Sequence, residues 1–141
     1  MRYLIDTNIL SEMTKKQPDN SIVKWFEDTA EMDMFMSVIS IGELVHGVAK
    51  LPDADKKAKL SVWLKELIHE SFGGRIVSID RDVMEIWGEM SAKLTRSLPK
   101  IDTLIAASAI TYGMTVVTGN VSDFKDIPGL KFFNPRESYD P

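Results

Sequence analysis

The stretch Tyr3-Leu4-Ile5-Asp6-Thr7-Asn8 brings three apolar residues to a carboxylate, with two polar residues behind it. Read outward, it is a short buried strand that stops at Asp6, with Thr7, Asn8 and Ser11 supplying caps for a helical turn. That is the first half of a βα unit. After Pro18, residues 21–32 place Ile22, Val23, Phe26 and Ala30 at helical spacing, and Met34-Phe35-Met36-Ser37 reads as a second strand. A helix from Ser40 carries Ile41, Leu44, Val45 and Val48. Another over residues 53–72 carries Leu60, Trp63, Leu64, Leu67 and Ile68 and stops at Gly73-Gly74.

The second half repeats the alternation. Residues 75–79 predict a third strand. Asp82 is the expected cap of a helix bearing Val83, Ile86, Trp87, Met90 and Leu94, which Ser97-Leu98-Pro99 interrupts. A helix from near Asp102 to Gly113 feeds the apolar strand Met114-Thr115-Val116-Val117-Thr118. A polar loop over residues 119–126 and a short strand over residues 130–133 follow. Strands alternating with helices predict an α/β fold in three layers, a central and mostly parallel sheet of four to five strands flanked by helices. With 141 residues, 44% hydrophobic and 27% charged, the chain is expected to form a single domain, 1–141.

Composition narrows the chemistry. Without cysteine there is no disulfide, thiol nucleophile, iron–sulfur cluster or thiolate zinc site, and His46 and His69 are too few for a histidine cage. Any metal must sit mainly on oxygen. No leader segment and no membrane span is expected, and a cytoplasmic location follows. The net charge of −4 argues at first against a nucleic-acid partner.

In parallel α/β sheets ligands bind beyond the carboxyl ends of the strands. Asp6 directly follows the first strand, Glu43 is expected in the first turn of the helix after the second, and Asp123 lies in the loop after the Val116-Val117 strand. Asp102 joins them if its helix starts on the same side. Each has a structural reading too: Asp6 and Asp102 as helix caps, Asp123 as a turn residue, Glu43 as the end of a Ser40-x-x-Glu43 capping box. Four carboxylates at one edge repel unless hard cations share them, so the joint pattern favours a cation site.

The ordered set Asp6-Thr7-Asn8, Gly42-Glu43-Leu44-x-x-Gly47, Ile101-Asp102-Thr103-Leu104-Ile105-Ala106-Ala107 and Val117-Thr118-Gly119-Asn120-x-x-Asp123-Phe124 resembles the motifs of the PIN domain over nearly the whole chain. Within that superfamily it most resembles VapC/FitB-type toxin ribonucleases of toxin–antitoxin pairs. The resemblance implies Mg²⁺ or Mn²⁺ in the carboxylate cluster and cleavage of RNA. It matches Asp6 and Asp102 to the principal metal-binding aspartates and Glu43 and Asp123 to the acidic positions completing the site. Thr7, Asn8, Thr118 and Asn120 match a supporting polar shell. It also implies a homodimer and a higher assembly with a cognate antitoxin, with DNA reached only through that antitoxin and no membrane. Gly119 and Ser122 depart from the pattern, standing where many relatives carry a longer polar or basic side chain.

Phosphodiester hydrolysis without cysteine or a histidine cluster needs another way to activate water, which a carboxylate-held divalent ion supplies. Asp6 and Asp102 are expected to coordinate directly, with Glu43 and Asp123 in an outer shell, at a second ion or orienting the water. With the four set aside, acidic and basic residues balance, and Lys15, Lys16, Lys93, Arg96 and Lys100 become candidates for phosphate contact. His46 and His69 are given no role. The tryptophans are read as core or interface, and the apolar helices carrying Trp25 and Trp63 as walls for dimer or antitoxin contacts. Glu12 and Asp126 are expected to be neutral controls. Two other readings compete: a non-catalytic interaction protein on the same fold, and an aspartyl-phosphate phosphatase, which wants an acid where Asn8 stands.

Overall fold

Leu4 and Ile5, adjacent in sequence, point to opposite faces of one sheet, and the two hydrophobic cores divide accordingly. A computed structural model describes residues 1–138 of the chain. Its five strands are β1 (Tyr3–Ile5), β2 (Met34–Ser37), β3 (Ile76–Val77), β4 (Thr115–Val117) and β5 (Lys131–Phe133). They lie in the order β3-β2-β1-β4-β5 with every pairing parallel. The seven helices are α1 (Thr7–Glu12), α2 (Asn20–Asp28), α3 (Val38–Ala49), α4 (Ala54–Glu66), α5 (Arg81–Ala92), α6 (Lys100–Tyr112) and α7 (Pro135–Ser138). The three-layer α/β architecture read from the sequence is the one found.

Leu4 and Val116 face α5 and α6 through Val83, Met90, Ile105 and Ala106. Ile5 and Val117 face Ile9 and Leu10 of α1, Ile22 and Trp25 of α2, Leu44 of α3 and Leu64 of α4. Small residues at Ala106, Ala107 and Ala109 let α6 lie close on the sheet, and all three are fully enclosed. Trp25 meets Tyr3, Phe26 and Phe133 edge to face at centroid distances of 5.2–5.8 Å for its own pairs. At 2% exposure it is a core residue.

Several expectations need correction. Asp6 itself caps α1, accepting from the Thr7 N–H at 2.9 Å. The cap of α3 is Ser37, whose Oγ accepts from the Ile39 N–H, so the helix begins three residues earlier than expected. Glu43 consequently lies in the second turn, and Ser40-x-x-Glu43 is no capping box. Asp80, in place of Asp82, caps α5 by accepting from the Val83 N–H. The long helix over residues 53–72 is α4 followed by a wider π-turn over Leu67–Ser71. The expected helix over residues 21–32 stops at Asp28, with a 3₁₀ turn at Glu31–Asp33. Strand β3 keeps two of its five expected residues because it is an edge strand paired only with β2.

The order 3-2-1-4-5 places the reversal of connection between β1 and β4. In open parallel sheets that switch point leaves a crevice beyond the carboxyl ends of the two strands. Asp6 follows β1 and Thr118 follows β4, so both stand at its mouth.

Candidate active site

Asp6 is the most deeply buried of the four carboxylates. It is 4% exposed, and each carboxylate oxygen is held: Oδ1 accepts from the Thr7 N–H, and Oδ2 accepts from Thr118 Oγ1 at 2.8 Å and Asn8 Nδ2 at 3.1 Å. Burial pushes its carboxyl upward, against the pull of these donors, and the charge of Glu43 pushes the same way. Thr118 is fixed in turn by its N–H on the Phe133 carbonyl, and its Oγ1 accepts the Asn120 N–H at 2.9 Å.

Glu43 enters from α3. Its Oε1 accepts from Thr7 Oγ1 at 2.6 Å, and Thr7 Oγ1 stands 2.8 Å from Ser40 Oγ. Asp102 enters from the first turn of α6. That turn is pinned by Thr103, whose Oγ1 donates to the Lys100 carbonyl and accepts from Trp87 Nε1 of α5 at 3.0 Å. Asp123 comes from the 3₁₀ turn Val121–Asp123 after β4. Arg96 braces the neighbouring chain, pairing with Asp126 at 2.9 Å and donating to the Ser122 carbonyl.

The four carboxylates act on one another. Burial, followed by the charges of Asp6 and Asp123, a hydrogen bond with Asp123 and the charge of Glu43, pushes the Asp102 carboxyl up to about 7. Among the described residues no lysine or arginine forms an ion pair with any of the four. Nor, among those residues, do three Asp, Glu or His side chains form a ready-made cage for an ion. The result is a cluster of hard oxygen donors at one edge of the sheet with no ion-paired lysine or arginine among the described residues. It suits Mg²⁺ or Mn²⁺, which need only one or two direct carboxylates because they retain water.

Of the supporting shell expected from the sequence, Thr7, Asn8 and Thr118 touch the acidic residues, whereas Asn120 is exposed and contributes its backbone N–H. Ser40 was missed as a site neighbour, although its spacing from Glu43 puts both on one face of a helix. Glu12 is no neutral position. It is 3% exposed, paired with Lys15 at 3.0 Å and with Arg136, and it accepts the Asp19 N–H at 3.2 Å. The Lys15 hydrogen bond leads in holding its carboxyl below the usual range. His46 and His69 are exposed.

A cavity of about 300 Å³ opens beside Glu43 and Thr7, with Ser11, Lys15, Lys56 and Trp63 on its walls. Trp63 of α4 is half-buried there and lines this concave surface.

A cluster of carboxylates at the switch point of a five-stranded parallel sheet defines an α/β domain with an acidic edge. The chain belongs to the PIN domain family, whose model matches residues 3–130, and within it to the VapC/FitB group of toxin–antitoxin ribonucleases. It is 28% identical over 137 residues to VapC ribonuclease Y4jK of Sinorhizobium fredii, covering 95% of this chain and 97% of that protein. It is 32% identical over 135 residues to Toxin FitB of Neisseria gonorrhoeae, covering 94% and 96%. The fold superposes with a TM-score of 0.89 on a chain of the structure of FitAB bound to an IR36 DNA fragment, at 30% identity and 98% coverage of both chains. Among the described residues no helix is long and apolar enough to cross a membrane.

Proposed function

We propose that this protein is the toxin of a toxin–antitoxin pair, a Mg²⁺- or Mn²⁺-dependent endoribonuclease that cleaves RNA phosphodiester bonds and is silenced by a cognate antitoxin. One observation carries the reading: carboxylates from the end of β1, α3, α6 and the turn after β4 act on one another, with Asp102 pushed up to about 7 and, among the described residues, no lysine or arginine ion-paired with any of them. A site with only a structural role gains nothing from such repulsion.

Asp6 and Asp102 would hold the cation directly, and Glu43 and Asp123 would stand in an outer shell, at a second ion or orienting the water. When bound, the divalent cation lowers the pKa of water and neutralises charge that builds at phosphorus in the transition state. The chain's own task is placement. Thr118, Asn8 and the Thr7 N–H leave Asp6 one orientation, and Thr7 Oγ1 does the same for Glu43. The cavity beside Glu43 gives the RNA strand room next to one of the four carboxylates, with Lys15 and Lys56 at its wall for phosphate contact.

The proposed partners are a cognate antitoxin, a second copy of this chain, and DNA through the antitoxin alone; a FitAB pair bound to a DNA fragment is among the similar structures. The cytoplasm is the expected place of action. The reading is tested by incubating purified protein with RNA in Mn²⁺ and in EDTA. Cleavage that needs the metal and is lost in Asp6→Asn and Asp102→Asn supports it. A folded, Mn²⁺-loaded protein that cuts no RNA but still binds its partner favours the non-catalytic interaction reading.

A further inference from the structure

Gly119 and Arg136 meet at the rim of the acidic pocket, although 17 positions separate them. A methyl group added at Gly119 would stand 3.2 Å from Arg136 Nη1 and 3.4 Å from Asn8 Oδ1, so the guanidinium packs against a bare Cα. Positive φ among the glycines is confined to Gly113 and Gly129, so what a side chain at Gly119 would disturb is the close approach of Arg136 and not the backbone conformation. The rest of Arg136 is clamped. Its Nη2 donates to Glu12 Oε1, its Nε lies 3.9 Å from Asp19 Oδ2, and its N–H donates to Oδ1 of the buried Asn134 at 3.0 Å.

Gly119 is also bonded inward. Its N–H donates to Asn8 Oδ1 at 3.0 Å, and the other end of that amide, Nδ2, donates to Asp6 Oδ2 at 3.1 Å. A continuous series of contacts therefore runs from buried Glu12 through Arg136, Gly119 and Asn8 to Asp6. The Asn8 amide is the sensitive link. Flipped, it would turn its oxygen on the Asp6 carboxylate and its NH₂ on the Gly119 N–H, replacing two hydrogen bonds with two repulsions. What holds Gly119 in register holds the amide the right way round. A planar guanidinium bonded to the buried Glu12 carboxylate, with Asp19 close by, is held firmly enough to do so.

We propose that Arg136 is a positioning residue for the acidic site: locked by Glu12 and packed on Gly119, it fixes the Asn8 amide that holds Asp6 ready for a divalent cation, which makes α7 part of the site's construction. The inference rests on the reading of Asp6 as a cation ligand in a ribonuclease.

The test compares Arg136→Gln, Arg136→Lys, Gly119→Ala, Asn8→Ala and the double variant Arg136→Gln/Asn8→Ala in the full-length protein. Three quantities are read: the ¹⁵N NMR signal of the Asn8 side-chain NH₂, identified by its loss in Asn8→Ala, the Mn²⁺ dissociation constant, and kcat and KM on an RNA oligonucleotide. Arg136→Gln is expected to shift the Asn8 signal, weaken Mn²⁺ binding and lower kcat roughly tenfold or more at nearly unchanged KM. Arg136→Lys should recover part of each loss. Gly119→Ala, which keeps every charge and pushes the guanidinium outward, should move the same signal and remains informative if Arg136→Gln does not fold. In the Asn8→Ala background Arg136→Gln should add little, because both act through one link.

An unmoved Asn8 signal in folded Arg136→Gln and Gly119→Ala proteins would overturn the proposal, as would fully additive losses. A rise in KM alone would also overturn it and make Arg136 an RNA contact. If the wild type cleaves no RNA, the ribonuclease reading fails by itself, while the Asn8 signal and the Mn²⁺ affinity still decide the role of Arg136.

Discussion

Thr118 Oγ1 donates a 2.8 Å hydrogen bond to Asp6 Oδ2 across 112 positions of sequence, joining the carboxyl ends of β1 and β4 at the switch point of the sheet. Both residues are buried, so the bond fixes the orientation of the deepest carboxylate in the pocket. Thr118→Val keeps the shape and removes the hydroxyl. It leaves Asp6 short of a donor and the Asn120 N–H short of an acceptor, at a cost of about 1–3 kcal/mol. Urea unfolding in EDTA should show a lower midpoint at unchanged slope.

Removing one charge from the cluster should separate activity from stability. Asp102→Asn is expected to lower RNA cleavage by about 100-fold or more and to weaken Mn²⁺ binding. Its melting temperature in EDTA should equal or exceed that of the wild type, because repulsion from Asp6, Asp123 and Glu43 is relieved. Asp126→Asn, on a surface ion pair with Arg96, should leave cleavage unchanged.

The chelated protein should lose stability as pH rises. Asp102 keeps its proton in the folded state up to about 7, well above the value of 3.8 expected for a free aspartate. Between those values the folded form holds the extra proton. The contribution therefore falls as pH climbs through this window and is fully lost above about 7. Asp6 is raised as well and acts with the same sign. Melting in EDTA should be higher at about pH 5.5 than at about pH 8, and Asp102→Asn should flatten the difference. Mg²⁺ should stabilise the wild type more at the upper pH, because it binds the ionised cluster.

Partner binding should survive the loss of catalysis. Asp102→Asn, co-expressed with its antitoxin, is expected still to co-purify and to keep the wild-type oligomeric state by light scattering. Apolar burial carries most of such an association, and one lost charge contact only trims it. A folded variant that loses the antitoxin would show that the carboxylate is part of the binding surface.

Much of this arrangement was readable beforehand because strand ends and carboxylates coincide in sequence. Tyr3-Leu4-Ile5 running into Asp6, and Val116-Val117 running into a polar loop, are local patterns that a parallel sheet converts into one edge. Glu43 was placed correctly at that edge but for the wrong local reason. Ser37 and Ser40 are both competent caps, and only the β2 ladder ending at Ser37 decides between them. The same tie between neighbouring aspartates shifted the start of α5 from Asp82 to Asp80. Glu12 and Arg136 could not be paired from sequence, since 124 positions separate them and neither carries a local signal. Trp25 looked the same on a helical wheel whether it packed on the sheet or on a partner, and the aromatic ring of Tyr3, Phe26 and Phe133 settles it.

End-group analysis of RNA cut by the purified protein, with Mn²⁺ and with EDTA, for the wild type and Asp102→Asn, tests the central claim most directly. In-line attack of water on phosphorus, with the ribose 3′ oxygen leaving, needs no 2′-hydroxyl. It predicts 5′-phosphate and 3′-hydroxyl ends that appear with Mn²⁺, vanish in EDTA and are lost in the variant. Cyclic 2′,3′-phosphate ends that form in EDTA and persist in Asp102→Asn would contradict it.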